Sequence, residues 1–220
     1  MVTKIEIPFD PPLDGLVELH SRDQGIILAH GTRGDMDDGI LPHLCKKLGE
    51  KNISTVRFRF PYRMKGKKHL DDVTTLDNAY VAVWQYITNK YPDKTWLVGG
   101  IDTGAETAIR ATGLMMTDSG DIPHVISLNY PLYPPNRPEM VDASSLGAIM
   151  GDAIFIQASD SNQGTYDRLR NQLQMMVPHA DMSKIRGANH DFTVDGKNPD
   201  RVAYWISNDI DRFIKNIFGA

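Results

Sequence analysis

The chain of 220 residues has one cysteine, Cys45, so no disulfide can form within it. It has no apolar run near the roughly 18–20 residues that a membrane span needs, and its opening residues, MVTKIEIPFDPP, lack the apolar core of a signal segment. It has no positive excess: the formal net charge is −4, which gives no overall attraction to nucleic acid or to an anionic membrane. It lacks G-x-G-x-x-G, and no G-K-[ST] follows a glycine loop, which sets nucleotide binding aside. His20, His43, His69, His124 and His179 are scattered without metal-ligand spacing. These absences lead us to expect a cytoplasmic protein with no metal, no cofactor, no nucleic-acid partner and no membrane association, acting on a small-molecule substrate or ligand.

What is present suits one sizeable core. A hydrophobic content of 41% is ample for a single domain spanning 1–220, and no repeat, low-complexity tract or linker divides it. Apolar periodicity predicts short strands at 5–9 and 16–20, separated by the turn chemistry of Pro11–Pro12 and Asp14–Gly15. A buried-type run, 25–30, leads into the glycine loop His30-Gly-Thr-Arg-Gly34. The next helix, which Asp37 or Asp38 can cap, buries Ile40, Leu41, Leu44, Cys45 and Leu48. In that stripe Cys45 reads as an inert buried thiol. Strands are expected at 55–60, 96–100, 125–130, 153–158 and 182–186. Helices are expected over 74–91, 104–116 and 166–176 and along the stripe 202–214, with Met115, Met116, Met175 and Met176 in the core. Such alternation implies a mostly parallel, doubly wound sheet with helices on both faces. Ligands bind such sheets beyond the carboxyl ends of the strands. The basic stretch Arg57, Arg59, Arg63, Lys65, Lys67, Lys68 is either a solvated loop or a cationic lip beside a pocket.

The segment Val98-Gly-Gly-Ile-Asp-Thr-Gly-Ala105 fits the pattern G-x-nucleophile-x-G, with Asp102 at the nucleophile position. A sharp strand-to-helix turn strains its central residue, and small neighbours let the helix pack close behind it. The Thr103 amide, at the helix start, would point at the same spot, which suits stabilising negative charge. Chain order adds weight. The Thr32 amide, in the glycine loop, takes the place of a second oxyanion donor. Asp160 ends a core strand 58 residues after Asp102, and His190 follows 30 residues later. Nucleophile, acid, histidine is the α/β-hydrolase order. His30 reads as an organiser of its loop. Arg33 is a candidate for binding an anionic substrate group or for a salt bridge, and Tyr130 is a candidate wall of the pocket, with Tyr62 and Tyr133 as alternatives.

An aspartate is ionised near neutral pH and attacks without the help that a serine needs. Its useful target is an sp³ carbon bearing a leaving group, because attack on an ordinary ester would make an anhydride. The resulting alkyl ester would be cleaved by a water that His190 activates.

The stretches 28–36, 56–62, 99–108, 127–132 and 188–190 resemble the small cap-less α/β-hydrolases of the dienelactone-hydrolase-like and testis-expressed-protein type. The resemblance implies the α/β-hydrolase fold without a cap domain and a serine-type hydrolase site. This sequence departs from it twice. Asp102 stands where the family has serine, and the family's acid aligns with Ser161, with Asp160 one residue early. Two functions stay open: a small-molecule hydrolase using Asp102, His190 and Asp160 with backbone donors at Thr32 and Thr103, or a catalytically silent binding or scaffold protein. In the second, Asp102 is a structural carboxylate paired with Arg33 or His190.

Overall fold

Strand-period and helix-period segments alternate along the chain, and each finds a partner layer. In the computed structural model, which describes residues 1–115 and 122–219, the strands are β1 (Val2–Ile7), β2 (Leu13–Glu18), β3 (Gln24–Ala29), β4 (Ser54–Phe58), β5 (Thr95–Ile101), β6 (Val125–Leu128), β7 (Ala153–Asp160) and β8 (Asp181–Asn189). Among the described residues they form one sheet in the order β1-β2-β4-β3-β5-β6-β7-β8. Only β2 runs against its neighbours; every pairing from β4 across to β8 is parallel. The helices are α1 (Leu41–Gly49), the short α2 (Pro61–Met64), α3 (Val73–Lys90), α4 (Thr103–Thr112), α5 (Tyr166–Met176) and α6 (Pro199–Phe218).

The sheet separates two apolar layers. Ile26 and Leu28 of β3 face α1 and α6, while Ile27 and Ala29 face α3 and α4, the two-residue period of a strand buried on both sides. Helix α6 presents Val202, Ile206, Ile210 and Phe213 at helical spacing. Asn198 caps its start by accepting the Arg201 amide, and Gly219 ends it in the left-handed conformation. The connection over 129–152 holds only a 3-10 turn, Ser144–Ala148, so it makes no cap domain. No helix of the described residues is long and apolar enough to cross a membrane.

Several expectations shift. The first two strands sit two or three residues earlier, because Asp14–Gly15 lies within β2 rather than in a turn. Gly15 faces Ile5, where a Cβ would meet its side chain at 3.0 Å. Neither Asp37 nor Asp38 caps α1, which starts after Ile40 with a proline in its first turn; Asp37 pairs instead with Arg57 and Arg59. Helix α4 ends at Thr112, and Met116 lies outside the described residues. Met115 is buried, but Met175, on the side of α5 opposite Leu169 and Leu173, and Met176, at the last position of the helix, are exposed. Cys45 is buried, and burial pushes its thiol up to about 11, out of the range of a nucleophile.

Candidate active site

The carboxyl ends of β3, β5, β7 and β8 open on one edge of the sheet, and the loops that leave them carry the residues of interest. Strand β5 turns into α4 at Asp102, whose backbone sits at φ 57, ψ −129. A non-glycine residue rarely adopts such angles, and doing so costs on the order of 1–3 kcal/mol. The turn is tight because Gly100 and Gly104 touch: a Cβ on Gly100 would lie 2.5 Å from the Gly104 backbone, and one on Gly104 would lie 2.5 Å from the His30 carbonyl. The buried hydroxyl of Tyr80, from α3, braces the strand behind, accepting the Gly99 amide at 2.8 Å and lying 2.8 Å from the Ile27 carbonyl.

The strained backbone aims the Asp102 carboxylate at two partners. The Thr32 amide donates to Oδ2 at 3.0 Å, and Nε2 of His190 lies 3.3 Å from Oδ1. The hydroxyls of Thr32 and Thr103, 2.6 Å apart, tie the glycine loop to the start of α4. Asp102 and His190 are each 8% exposed. Burial alone would push the Asp102 carboxyl up. The His190 ring and the amides of Thr32 and Thr103 outweigh it and hold the carboxyl below its usual range. The amides expected to receive an oxyanion therefore already act on a carboxylate.

On its other side the His190 ring meets Ser161, whose Oγ lies 2.8 Å from Nδ1 and also accepts the Gln163 amide at 3.3 Å. The acid expected here, Asp160, is exposed, and Ser161 is buried. The cause is local. The β7–β8 pairing is irregular here, Ala158 pairing with Ile185 and Asp160 with Asn189, so β8 carries two extra residues, and Ser161 is the first residue beyond the end of β7. Nε2 of His190 is fully covered, yet it makes no aligned hydrogen bond; it passes the carboxylate edge at ion-pair distance.

Other assignments change. Arg33 is exposed and makes no ion pair with Asp102; His190 is the partner of that carboxylate. Tyr130 is buried, its hydroxyl bonded to Ser145, and so does not line the cavity beside Asp102. The basic stretch is no cationic lip. Arg59 binds Asp35 bidentately at 2.8 and 2.9 Å, Arg57 pairs with Asp37, and Arg63 donates to the carbonyls of Thr32 and Gly34; only its lysines are exposed. His30 does organise its loop: Nδ1 donates to the Gly31 carbonyl at 2.9 Å and Nε2 accepts the Phe60 amide at 3.2 Å.

Sequence reasoning missed two residues. Arg63 fixes the carbonyls of Thr32 and Gly34, on either side of Arg33 in the glycine loop. Asn129, buried at φ 47, accepts the Ala158 amide at 2.7 Å and donates to the His190 carbonyl, joining β7 to the histidine loop. A signal for it existed: asparagine after the buried strand β6 is a residue type that tolerates positive φ.

A cavity of about 80 Å³ lies before Asp102 and His190, walled by Gly31, Ile40, Leu41 and Ile101 among others. It is large enough for a few water molecules or a small organic group. Among the described residues no cluster of three or more histidine, cysteine, aspartate or glutamate side chains is placed to hold a metal ion.

Residues 22–217 match the family described as an alpha/beta hydrolase domain. Among solved structures, an alpha-beta serine hydrolase homologue from Coxiella burnetii superposes with a TM-score of 0.75 at 14% identity, covering 94% of this chain and 97% of the other. A serine hydrolase without a lid from Xanthomonas campestris gives 0.72 at 16% identity, covering 96% and 94%. A dienelactone hydrolase from Anabaena variabilis gives 0.72 at 16%, covering 94% and 95%. At these identities the superpositions bear on the fold alone.

Proposed function

The chain belongs to the alpha/beta hydrolase domain family, and on that premise we propose that it hydrolyses a small molecule bearing a leaving group on an sp³ carbon, with Asp102 as nucleophile and His190 activating water. The observation that carries this reading is the division of labour between the two carboxylate oxygens. Oδ2 rests against the Thr32 amide, while Oδ1 faces the His190 edge.

In the first step Oδ1 attacks the carbon and the leaving group departs with the bonding electrons, giving an alkyl ester on Asp102. In the second, Nε2 of His190 takes a proton from water as the water oxygen adds to Cγ. For Nε2 to be free, the ring proton sits on Nδ1 and is donated to Ser161 Oγ. The negative charge that develops on Oδ2 falls where the Thr32 amide already points. On collapse the imidazolium of His190 gives its proton to the departing alkoxide, releasing the alcohol, and the carboxylic acid left on Asp102 loses its proton to solvent.

A second reading, a silent binding protein, is favoured by one specific observation. The carboxylate occupies its own amide cradle, so a substrate carbonyl oxygen finds no vacant donor there. The two separate on the His190→Gln variant incubated with a small primary alkyl bromide or epoxide. The hydrolase reading predicts accumulation of an ester on the peptide containing Asp102, seen by intact and peptide mass. A variant that stays unmodified, beside a wild type that releases no alcohol, would leave the silent reading standing.

A further inference from the structure

Three aspartate–glycine steps occur in the chain: Asp14–Gly15, Asp38–Gly39 and Asp195–Gly196. At such a step the glycine nitrogen, unhindered by a Cβ, is able to attack the Cγ of the aspartate before it. The N–Cγ bond forms, the carboxyl OH leaves with the amide proton as water, and a succinimide ring closes. Water then opens the ring. When the bond to the former main-chain carbonyl breaks, the backbone runs through Cβ and the residue is isoaspartate. Closure needs an uncommitted amide, an uncommitted carboxyl group and a backbone free to turn.

The fold sorts the three steps. Gly15 lies in β2, paired with Ile5 of β1 and Phe58 of β4, and the Asp14 carboxylate accepts from Arg59 at 3.1 Å. Asp38, Gly39, Asp195 and Gly196 are exposed. The ion pairs of the first loop go to Asp35 and Asp37, not to Asp38. The Asp195–Gly196 step is the centre of a turn closed by the Lys197 amide on the Val194 carbonyl at 3.0 Å. Among the described residues neither the Gly39 nor the Gly196 amide has a hydrogen-bond partner, and a Cβ on either glycine would meet nothing within 4 Å.

We infer that Asp38 and Asp195 are modification sites, converting spontaneously to isoaspartate in the folded protein, while Asp14 is protected. Position gives the first a consequence. Asp38 and Gly39 line the cavity before Asp102 and lead directly into its wall residues Ile40 and Leu41. Isoaspartate adds one methylene to the main chain there and so resets that wall. Asp195 follows Val194, whose bridge to Ala188 closes the loop holding His190. This chemistry belongs to the backbone and is independent of any role of Asp102.

The test holds the wild-type protein, folded or unfolded in urea, near neutral pH and body temperature over time. Digested peptides are scored for isoaspartate by enzymatic methyl transfer to the isomerised residue and by fragment ions of the β-linked backbone. In urea all three steps should accumulate isoaspartate at similar rates. In the folded protein, residues 38 and 195 should isomerise at least about tenfold faster than residue 14, because β2 must open before its ring closes. Asp38→Glu keeps the charge but would need a six-membered ring. That variant should lose the signal from its loop and keep the one at 195. Asp14 keeping pace with the other two in the folded protein would overturn the inference. So would either exposed step staying unmodified there while it reacts in urea, or an undiminished signal from the first loop of Asp38→Glu.

Discussion

On the β5 side of the His190 ring stands a carboxylate, 3.3 Å from Nε2 and held by a backbone amide. On the β7 side stands a hydroxyl, 2.8 Å from Nδ1. A serine hydrolase of this fold has the hydroxyl at the elbow and the carboxylate on the far side of the ring. The same three functional groups are present here with their places exchanged. The comparison separates what the scaffold supplies from what the side chains supply. The strained turn, the amide cradle and the histidine position belong to the backbone and are in place; which bond can be attacked depends on which oxygen stands at the turn. A hydroxyl there suits acyl transfer, and a carboxylate suits displacement at an sp³ carbon.

Exchanging the two residues would break the contrast most forcefully. Asp102→Ser alone frees the amide cradle but leaves the imidazolium without a carboxylate on Nδ1. Combining it with Ser161→Asp should raise hydrolysis of p-nitrophenyl acetate by roughly 10³-fold over the single variant, the scale of a triad acid's contribution. Equal rates would show that the two sides of the ring are not interchangeable in this scaffold. Next in size is Asn129→Ala, which strips partners from the Ala158 amide and the His190 carbonyl. A loss of about 2–4 kcal/mol in denaturant melts is expected for two buried groups left unpaired, whereas Ser161→Ala should cost about 1 kcal/mol. Comparable losses would mean that the β7 side is not braced chiefly by Asn129.

The smallest effect is one of pH and concerns the loop that carries the Thr32 amide. Burial, opposed by the hydrogen bond to Gly31, lowers the pKa of His30 below its ordinary 6.5. As pH falls through that value, the unfolded chain takes up a proton that the folded chain refuses. Stability from this residue is therefore complete above pH 6.5 and declines below it, by at most about 1.4 kcal/mol per pH unit. Melting temperatures of wild type and His30→Gln between pH 5 and 8 check this; the variant should show the shallower acid slope, and parallel curves would remove His30 as the source.

Much of this architecture is legible without coordinates. The two-residue and helical periods mark β3 through α6 because both sheet faces are buried and each helix must cover one. The elbow is legible because only small residues fit where Gly100 and Gly104 touch. What escapes the sequence is set by tertiary register. Whether residue 160 or 161 faces His190 depends on how the chain leaves the end of β7 at Asp160, which leaves no mark in composition. Tyr130 resembles a pocket residue because a tyrosine follows the strand β6, yet Ser145, from the connection over 129–152, draws its hydroxyl away from the cavity. Arg63 reads as part of a charge run, and only the folded glycine loop shows that its targets are carbonyls.

The most direct test of Asp102 as nucleophile is a single turnover of an alkyl bromide or epoxide in oxygen-18 water, with protein in excess. Attack by Asp102 followed by hydrolysis at Cγ predicts that the label enters the carboxylate of the Asp102 peptide and that the first alcohol released carries none. Label in the alcohol, with that peptide unlabelled, would mean that water reaches the carbon directly and would contradict the account.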